Sequence, residues 1–398
     1  MSIQSLVTKI LGKVPLRTIL IVPFVLQIVG AVGVVGYLSF RNGQRAVNEV
    51  VSELRSEVSD RIEQNLRILV ATPPLVNQSN ATALSLGQLN VKNLNGLERH
   101  FWHQVSLFDQ IALAGFADSS KEVVLAQRQD NGFPTISVSG KSTGYQLWTY
   151  TTNSQGERLK LIHVDKSFNP HQRPYYKAAV EAGKETWAAI FPHVNGKTLC
   201  VASSQPVYDQ IGKLKGVLLA DFNLLQIGNF LQRLEIGKTG QSFIIERTGA
   251  LIATSTSEKP FRINNNKVVK RSQERVDRLQ VTESSNLITQ ATGNHLLARF
   301  GDFNPIKTVQ QLEFKIDGER QFVQVLPFHD DRGLDWLIVV VVPETDFMEQ
   351  IQAHNRITIL LCLAALVLVV VIGILTAQWI TQPIVCLIYQ RSDCEDWH

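Results

Sequence analysis

Two long apolar stretches, neither carrying a charged residue, bound what this chain can be. Thr18 to Phe40 lies between Arg17 and Arg41, and Ile357 to Ile380 follows Arg356. Each is long enough to cross the roughly 30 Å hydrocarbon core of a bilayer as a helix. The first exceeds the ~7–15 residues of a signal-peptide core and no small-residue cleavage site follows it, so it reads as an uncleaved anchor. Two buried core helices would hardly remain so long and so free of charge. The organisation expected is a cytoplasmic N-terminus over 1–17, a span over 18–40, a large domain, a span over 357–380 and a short cytoplasmic tail over 381–398. Basic residues do not orient the chain, because Lys9, Lys13 and Arg17 on one side are matched by Arg41, Arg45 and Arg55 on the other.

With 398 residues, 44% of them hydrophobic and 19% charged, the chain can bury the cores of two modules. Its net charge of +4 is scattered, which is not the concentrated basic face of a nucleic-acid-binding protein. Of the cysteines Cys200, Cys362, Cys386 and Cys394, only Cys200 lies between the apolar stretches. That region therefore cannot close a disulfide on itself.

Beyond Arg41 the apolar residues Val47, Val50, Leu54, Val58, Ile62, Leu66 and Leu69 recur at three- and four-residue intervals. This predicts an amphipathic helix over 41–72, mechanically tied to the first span and ended by Pro73 and Pro74. Short β-rich runs follow, and one pattern occurs twice. Pro206, Asp209 and Gly212 precede the strand Val217 to Asp221, and Pro327, Asp330 and Gly333, at the same spacing, precede Leu337 to Val342. Each reads as a hairpin with a polar turn between buried strands, and together as an internal duplication. Gly240 to Ser255, turning at Glu246 to Gly249, opens the second copy, and Gln110 to Arg128 opens the first. Strands, then loops and helices, then strands again imply an antiparallel sheet with helices on one face, the α+β class.

The run Ile236 to Ile245, the turn Glu246-Arg-Thr-Gly249 and the closing Asp330-Asp-Arg-Gly333-Leu-Asp-Trp336 resemble the membrane-proximal half of a double Cache domain. The likeness covers most of residues 41–356. It implies a long N-terminal helix carrying two tandem PAS-like antiparallel-sheet modules, the membrane-distal one over 73–235 and the membrane-proximal one over 236–350, flanked by the two transmembrane helices. Such domains are extracytoplasmic sensors of histidine kinases, chemoreceptors and cyclases, and usually bind small molecules in the distal module. The resemblance thus places 41–356 on the periplasmic or extracellular side of the cell membrane and implies a homodimer.

Within the distal module, Arg173-Pro-Tyr175-Tyr176 resembles the stretch by which amino-acid-binding double Cache domains hold a ligand carboxylate, and Asp221 matches the aspartate that pairs with the ligand amine. A guanidinium fork suits a carboxylate, and aromatic neighbours exclude water. Tyr175 stands where the family has tryptophan and Phe168 where it has tyrosine. Phe191 and His193 replace a further tyrosine and aspartate. With those amine partners missing, a simpler carboxylate or another small polar solute fits better than an amino acid. Read without the resemblance, Arg173 could instead pair with Asp221 inside the fold, with Tyr175 and Tyr176 filling the core.

Other signals carry less. The Gly-Lys-Ser/Thr triplets at Gly140, Gly196 and Gly237 lack the upstream glycine of a phosphate loop. Gly140-Lys-Ser142-Thr-Gly144 fits a hydrolase elbow, but a strand rather than a helix should follow it. His100 and His103 lack a third metal ligand, and the basic run Lys267 to Arg275 reads as a solvated face. No cofactor, metal or catalytic constellation is called for. Ile380-Thr-Gln-Pro383-Ile384 resembles the start of a HAMP linker, but Val385 to His398 shows no heptad repeat and no output domain. The expectation is a non-enzymatic small-molecule sensor region of a transmembrane signalling receptor. The alternative is a membrane-anchored solute-binding or assembly protein without signalling output.

Overall fold

A computed structural model describes residues 16–129, 133–192, 198–262, 277–347, 360–361, 363–368 and 370–376. Two compact units are distinguished: residues 1–52 with 345–398, and residues 53–344, which hold both main sheets. The predicted α+β class is present, with a long N-terminal helix and antiparallel sheets.

Helix α1, Leu16–Ser85, passes through the proline pair that the sequence reading takes as its end. This corrects the boundary at residue 72. A proline inside a helix costs about 3 kcal/mol or more by local rules, yet here packing on both sides of the pair outweighs it. Pro73, Pro74, Val76, Asn77 and Asn80 are all buried, and Asn77 Nδ2 donates to the Ser203 carbonyl at 2.8 Å. Of the predicted apolar stripe, Val58, Ile62, Leu66 and Leu69 are buried, whereas Val50 is exposed and Val51 is buried instead.

The distal module follows: α2 (Leu94–Leu107), β1 (Leu113–Asp118), β2 (Val123–Gln127), β3 (Thr135–Ser139), β4 (Leu147–Thr152), β5 (Arg158–Asp165), α3 (Pro174–Ala182), β6 (Thr186–Trp187), β7 (Phe191–Pro192), β8 (Leu199–Tyr208), β9 (Leu214–Asn223) and α4 (Leu224–Leu231). Its sheet runs β5-β4-β3-β2-β1-β9-β8-β6, with β7 also paired to β8. The proximal module comprises β10 (Gln241–Glu246), β11 (Leu251–Thr254), β12 (Phe261–Arg262), β13 (Asp277–Arg278), α5 (Leu287–Phe300), β14 (Gln310–Ile316), β15 (Glu319–His329) and β16 (Asp335–Pro343). Its main sheet runs β11-β10-β16-β15-β14.

The order β2-β1-β9-β8 in one sheet matches β11-β10-β16-β15 in the other: an opening hairpin lies beside a closing hairpin. The duplicated sequence pattern explains the closing pair down to its hydrogen bonds. Asp209 Oδ1 accepts from the Ile211 and Lys213 amides, and Asp330 Oδ1 accepts from those of Arg332 and Leu334. Gly212 and Gly333 take φ of 80° and 110°, a region that L side chains disfavour.

Side-chain alternation decides what each sheet face meets. On β9, Leu218 and Ala220 join a core with Val76 of α1 and Phe101 and Trp102 of α2. Val217 and Leu219 point the other way, into a core with Tyr175, Tyr176 and Ala179 of α3. In the proximal module, Val323, Val325, Val339 and Val341 pack with Leu296 of α5. Phe322 and Phe328 face α1 instead, under the guanidinium groups of Arg55 and Arg67 at 5.5 and 5.6 Å. Arg55 is buried and donates Nη1 to the Val323 carbonyl at 3.0 Å. Thus α1 seats the proximal sheet through Arg55 and the distal sheet through Asn77.

The apolar stretch 18–40 lies within α1, and the described residues between 360 and 376 are helical. Among the described residues no helix is long and apolar enough to cross a membrane. His193, the basic run 267–275, Cys362, Cys386, Cys394 and the linker-like residues 380–398 lie outside the described residues.

Candidate ligand site in the distal module

The site sits on the face of the distal sheet turned away from α1. Pro174 supplies a pre-set φ for the first turn of α3, and Gly183, at φ 63°, ends the helix. That placement sets Arg173 at the mouth of the helix and buries Tyr175, Tyr176 and Ala179 against the sheet. Asp221 follows the parity of Val217 and Leu219, so its carboxyl enters the same apolar core. It is 1% exposed.

Arg173 acts electrostatically on Asp221, Tyr175 and Cys200, so all three lie within reach of one guanidinium. It makes no direct ion pair with Asp221. Its Nη2 donates to the Pro192 carbonyl at 3.5 Å, and its guanidinium carbon lies 5.5 Å from the Phe191 ring centroid. The reading in which Arg173 and Asp221 neutralise each other as a closed pair therefore lacks its central contact. Burial pushes the Asp221 pKa up to about 7, against the opposing pull of the Cys200 thiol, the Leu113 amide and Arg173. Asp221 Oδ1 and the Tyr175 hydroxyl are both buried without a hydrogen-bond partner. Burial raises the pKa of Tyr175 beyond the ordinary tyrosine range.

The sequence-predicted residues separate into two groups. Arg173, Tyr175 and Asp221 come together, with Phe191 alongside. Tyr176 is buried in the same core, but its ring stacks on His171 at 4.3 Å between centroids, and its neighbouring charge is Asp118. His171 in turn bonds the Asp118 carbonyl at 3.0 Å. Phe168 joins the core and also lines a surface cavity of about 400 Å³ with Ser119, Tyr145 and Pro170.

Sequence reasoning treated Cys200 only as a disulfide question. It lies on β8 two residues from Ala202, which pairs in register with Asp221, and the strand period of two could have placed it on the site face. Cys200 is free, fully buried and donates its thiol to the Phe191 carbonyl at 3.5 Å. Burial, with Asp221 adding to it, pushes its pKa well up, so the thiol stays protonated and unreactive. Melts with and without reductant are therefore expected to coincide, and Cys200→Ala to cost no more than about 1–2 kcal/mol. A large reductant-dependent shift would instead reveal an intermolecular bridge.

His100, read as a weak metal candidate, bonds Asn80 Oδ1 at 2.7 Å. The Gly140 to Gly144 segment forms a single tight turn, and the strand β4 follows it rather than a helix.

The chain is similar to part of a methyl-accepting chemotaxis protein, McpA of Pseudomonas putida. The two are 24% identical over 115 residues, which is 28% of this chain and 18% of that protein. The fold is similar to the ligand-binding domain of Mlp24 with asparagine, at TM-score 0.48 and 15% identity, covering 77% of this chain and 98% of that one. It is also similar to the ligand-binding domain of the Pseudomonas aeruginosa amino-acid chemoreceptor PctC in complex with GABA, at TM-score 0.45 and 16% identity, covering 75% and 99%. The pattern that defines the Cache domain family matches residues 42–351. That match takes in both sheets and most of α1, and the chain belongs to the Cache domain family.

Proposed function

We propose that the chain is the extracytoplasmic, non-enzymatic sensor region of a membrane-anchored signalling receptor. In this reading the distal module binds a small carboxylate between Arg173, Tyr175 and Asp221. One observation carries it: within reach of the half-buried Arg173 guanidinium, a buried carboxyl oxygen and a buried phenol are left unpartnered. Buried polar groups are nearly always satisfied, and each exception needs an explanation, of which a bound partner is one. Arg173 supplies the charge for a carboxylate, the Tyr175 hydroxyl can donate to it, and Phe191 limits water.

Asp221 separates two ligand classes. A plain carboxylate prefers Asp221 protonated, so its affinity should fall as pH rises through about 7, the value to which burial pushes this group. An amino acid, whose ammonium needs the ionised form, should bind better above that pH. The unpartnered Oδ1 keeps the amino-acid reading open, while Phe168 and Phe191 favour the plain carboxylate. Melting temperatures of the purified protein with organic acids and with amino acids, at pH 6 and pH 8, test both. Absence of stabilisation by every member of both sets would remove support for the site.

Membrane anchoring rests on the two uncharged stretches. Val29, Val34, Val35 and Leu38 in the first, and Val367, Leu368, Val371 and Ile372 in the second, are exposed apolar side chains on helical segments. Reporter fusions at Asn80 and after His398 are expected to report opposite sides of the membrane. A cytoplasmic signal at Asn80 would overturn the topology. Membrane anchoring with ligand binding but without signalling would return the solute-binding alternative.

A further inference from the structure

A cavity of about 270 Å³ is lined by residues of the two modules, and Arg173, Tyr175 and Asp221 are not among them. Leu199, Leu224 and Leu225 wall it from the distal module, and Ile252, Pro260 and Phe261 wall it from the proximal one. On the face of α4 toward it, Gly228 leaves room. A Cβ built there meets nothing closer than the Thr254 carbonyl at 3.9 Å.

The polar groups are few and uneven. The Thr198 hydroxyl, on the cavity wall, is buried without a partner. Lys259 is exposed on the wall and has no ion-pair partner among the described residues. Glu258 also lines the cavity, but its carboxylate is held by the Ser284 hydroxyl and by the Ser285 amide and hydroxyl at 2.6 and 2.7 Å, and it forms no ion pair with Lys259. Arg262 acts electrostatically on Glu258 and offsets its charge, which leaves that of Lys259. The local balance thus favours an anion, while the walls favour an apolar body. At this volume the occupant is smaller than a drug-sized ligand.

We propose that this cavity is a second ligand site, taking a small monocarboxylate whose short apolar chain packs on Leu199, Leu224, Ile252 and Phe261 and whose carboxylate meets Lys259 and the Thr198 hydroxyl. Because its walls come from both modules, an occupant binds only when they hold this arrangement and so stabilises it. The site shares no lining residue with the distal clamp, the trio Arg173, Tyr175 and Asp221.

Hexanoate is the probe, with hexylamine as its opposite-charge control, titrated into the purified full chain and read by melting temperature and calorimetry. The expected result is a shift that grows with hexanoate concentration, is weaker in Lys259→Gln, is lost in Gly228→Leu, and persists in Arg173→Ala. Leu225→Trp, at an exposed rim position, provides a second obstruction should Gly228→Leu fail to fold, and its indole should respond to hexanoate by fluorescence. Failure of hexanoate to stabilise the wild-type chain would overturn the site, as would an equal shift in both obstructed variants. Stabilisation by hexylamine equal to that by hexanoate would overturn the carboxylate assignment. Loss of the hexanoate shift in Arg173→Ala would assign the binding to the distal clamp instead.

Discussion

Asp221→Asn is expected to make the unliganded protein more stable at pH 8, by on the order of 3–4 kcal/mol, and to leave it little changed near pH 4. The sign follows from proton binding. A carboxyl whose pKa is about 7 when folded, against an ordinary value of 3.8, binds more protons folded than unfolded between those values. Stability therefore falls as pH rises from about 4 to about 7, and the deficit persists above that. Asparagine retains an oxygen for the Leu113 amide while removing the charge. Urea unfolding of both proteins from pH 4 to pH 8 measures the difference, and parallel curves would show that Asp221 titrates normally. A binding site that holds a destabilising group in reserve for its ligand behaves in this way.

The second large effect concerns the contact between modules. Trp187, on β6, donates its indole N–H to Asp330 Oδ2 at 2.9 Å and packs edge-on against Phe222 at 5.9 Å. Beside it, Arg332 bonds Glu185 at 2.8 Å. Asp330 is the same residue whose other oxygen shapes the β15–β16 turn, so the contact ties the distal sheet to a structural corner of the proximal one. Trp187→Ala is expected to cost about 3–5 kcal/mol, from the large-to-small loss of a buried indole. It is also expected to split one calorimetric transition into two as the modules uncouple. Trp187→Phe keeps most of the packing and loses the hydrogen bond, which leaves Asp330 Oδ2 without the indole donor at about 1–3 kcal/mol. A double-mutant cycle with Asp330→Asn isolates that bond, and a coupling energy near zero would show that it contributes nothing.

These two features differ in how far the sequence reveals them. The hairpins are legible because their chemistry is local: Pro, Asp and Gly at fixed offsets dictate a turn, and the alternation that follows dictates which residues face inward. The duplication is legible for the same reason. The end of α1 is not, because the local cost of Pro73 and Pro74 is overcome by contacts such as Asn77 to Ser203, 126 residues apart. Trp187 and Asp330 are separated by 143 residues, and no pattern in either segment points to the other. The candidate site is legible in part. Arg173, Tyr175 and Asp221 come from resemblance to a family motif, while Cys200 and the unpartnered state of Asp221 depend on the pairing of β8 with β9. The inward position of Phe191 is a packing fact that substitution against a motif could not supply.

The central claim is that Arg173 anchors a ligand in the distal module. Its most direct test is calorimetric titration of the strongest stabiliser from the melting screen into wild type, Arg173→Ala and Arg173→Lys. The account predicts that Arg173→Ala abolishes binding while the unliganded protein melts close to wild type, since Arg173 makes no ion pair with Asp221 to break. Arg173→Lys should bind measurably more weakly, because the ammonium keeps the charge but loses the planar fork. Undiminished binding by Arg173→Ala would contradict the claim, as would an unliganded Arg173→Ala protein destabilised by the roughly 3–5 kcal/mol that follows loss of one member of a buried pair.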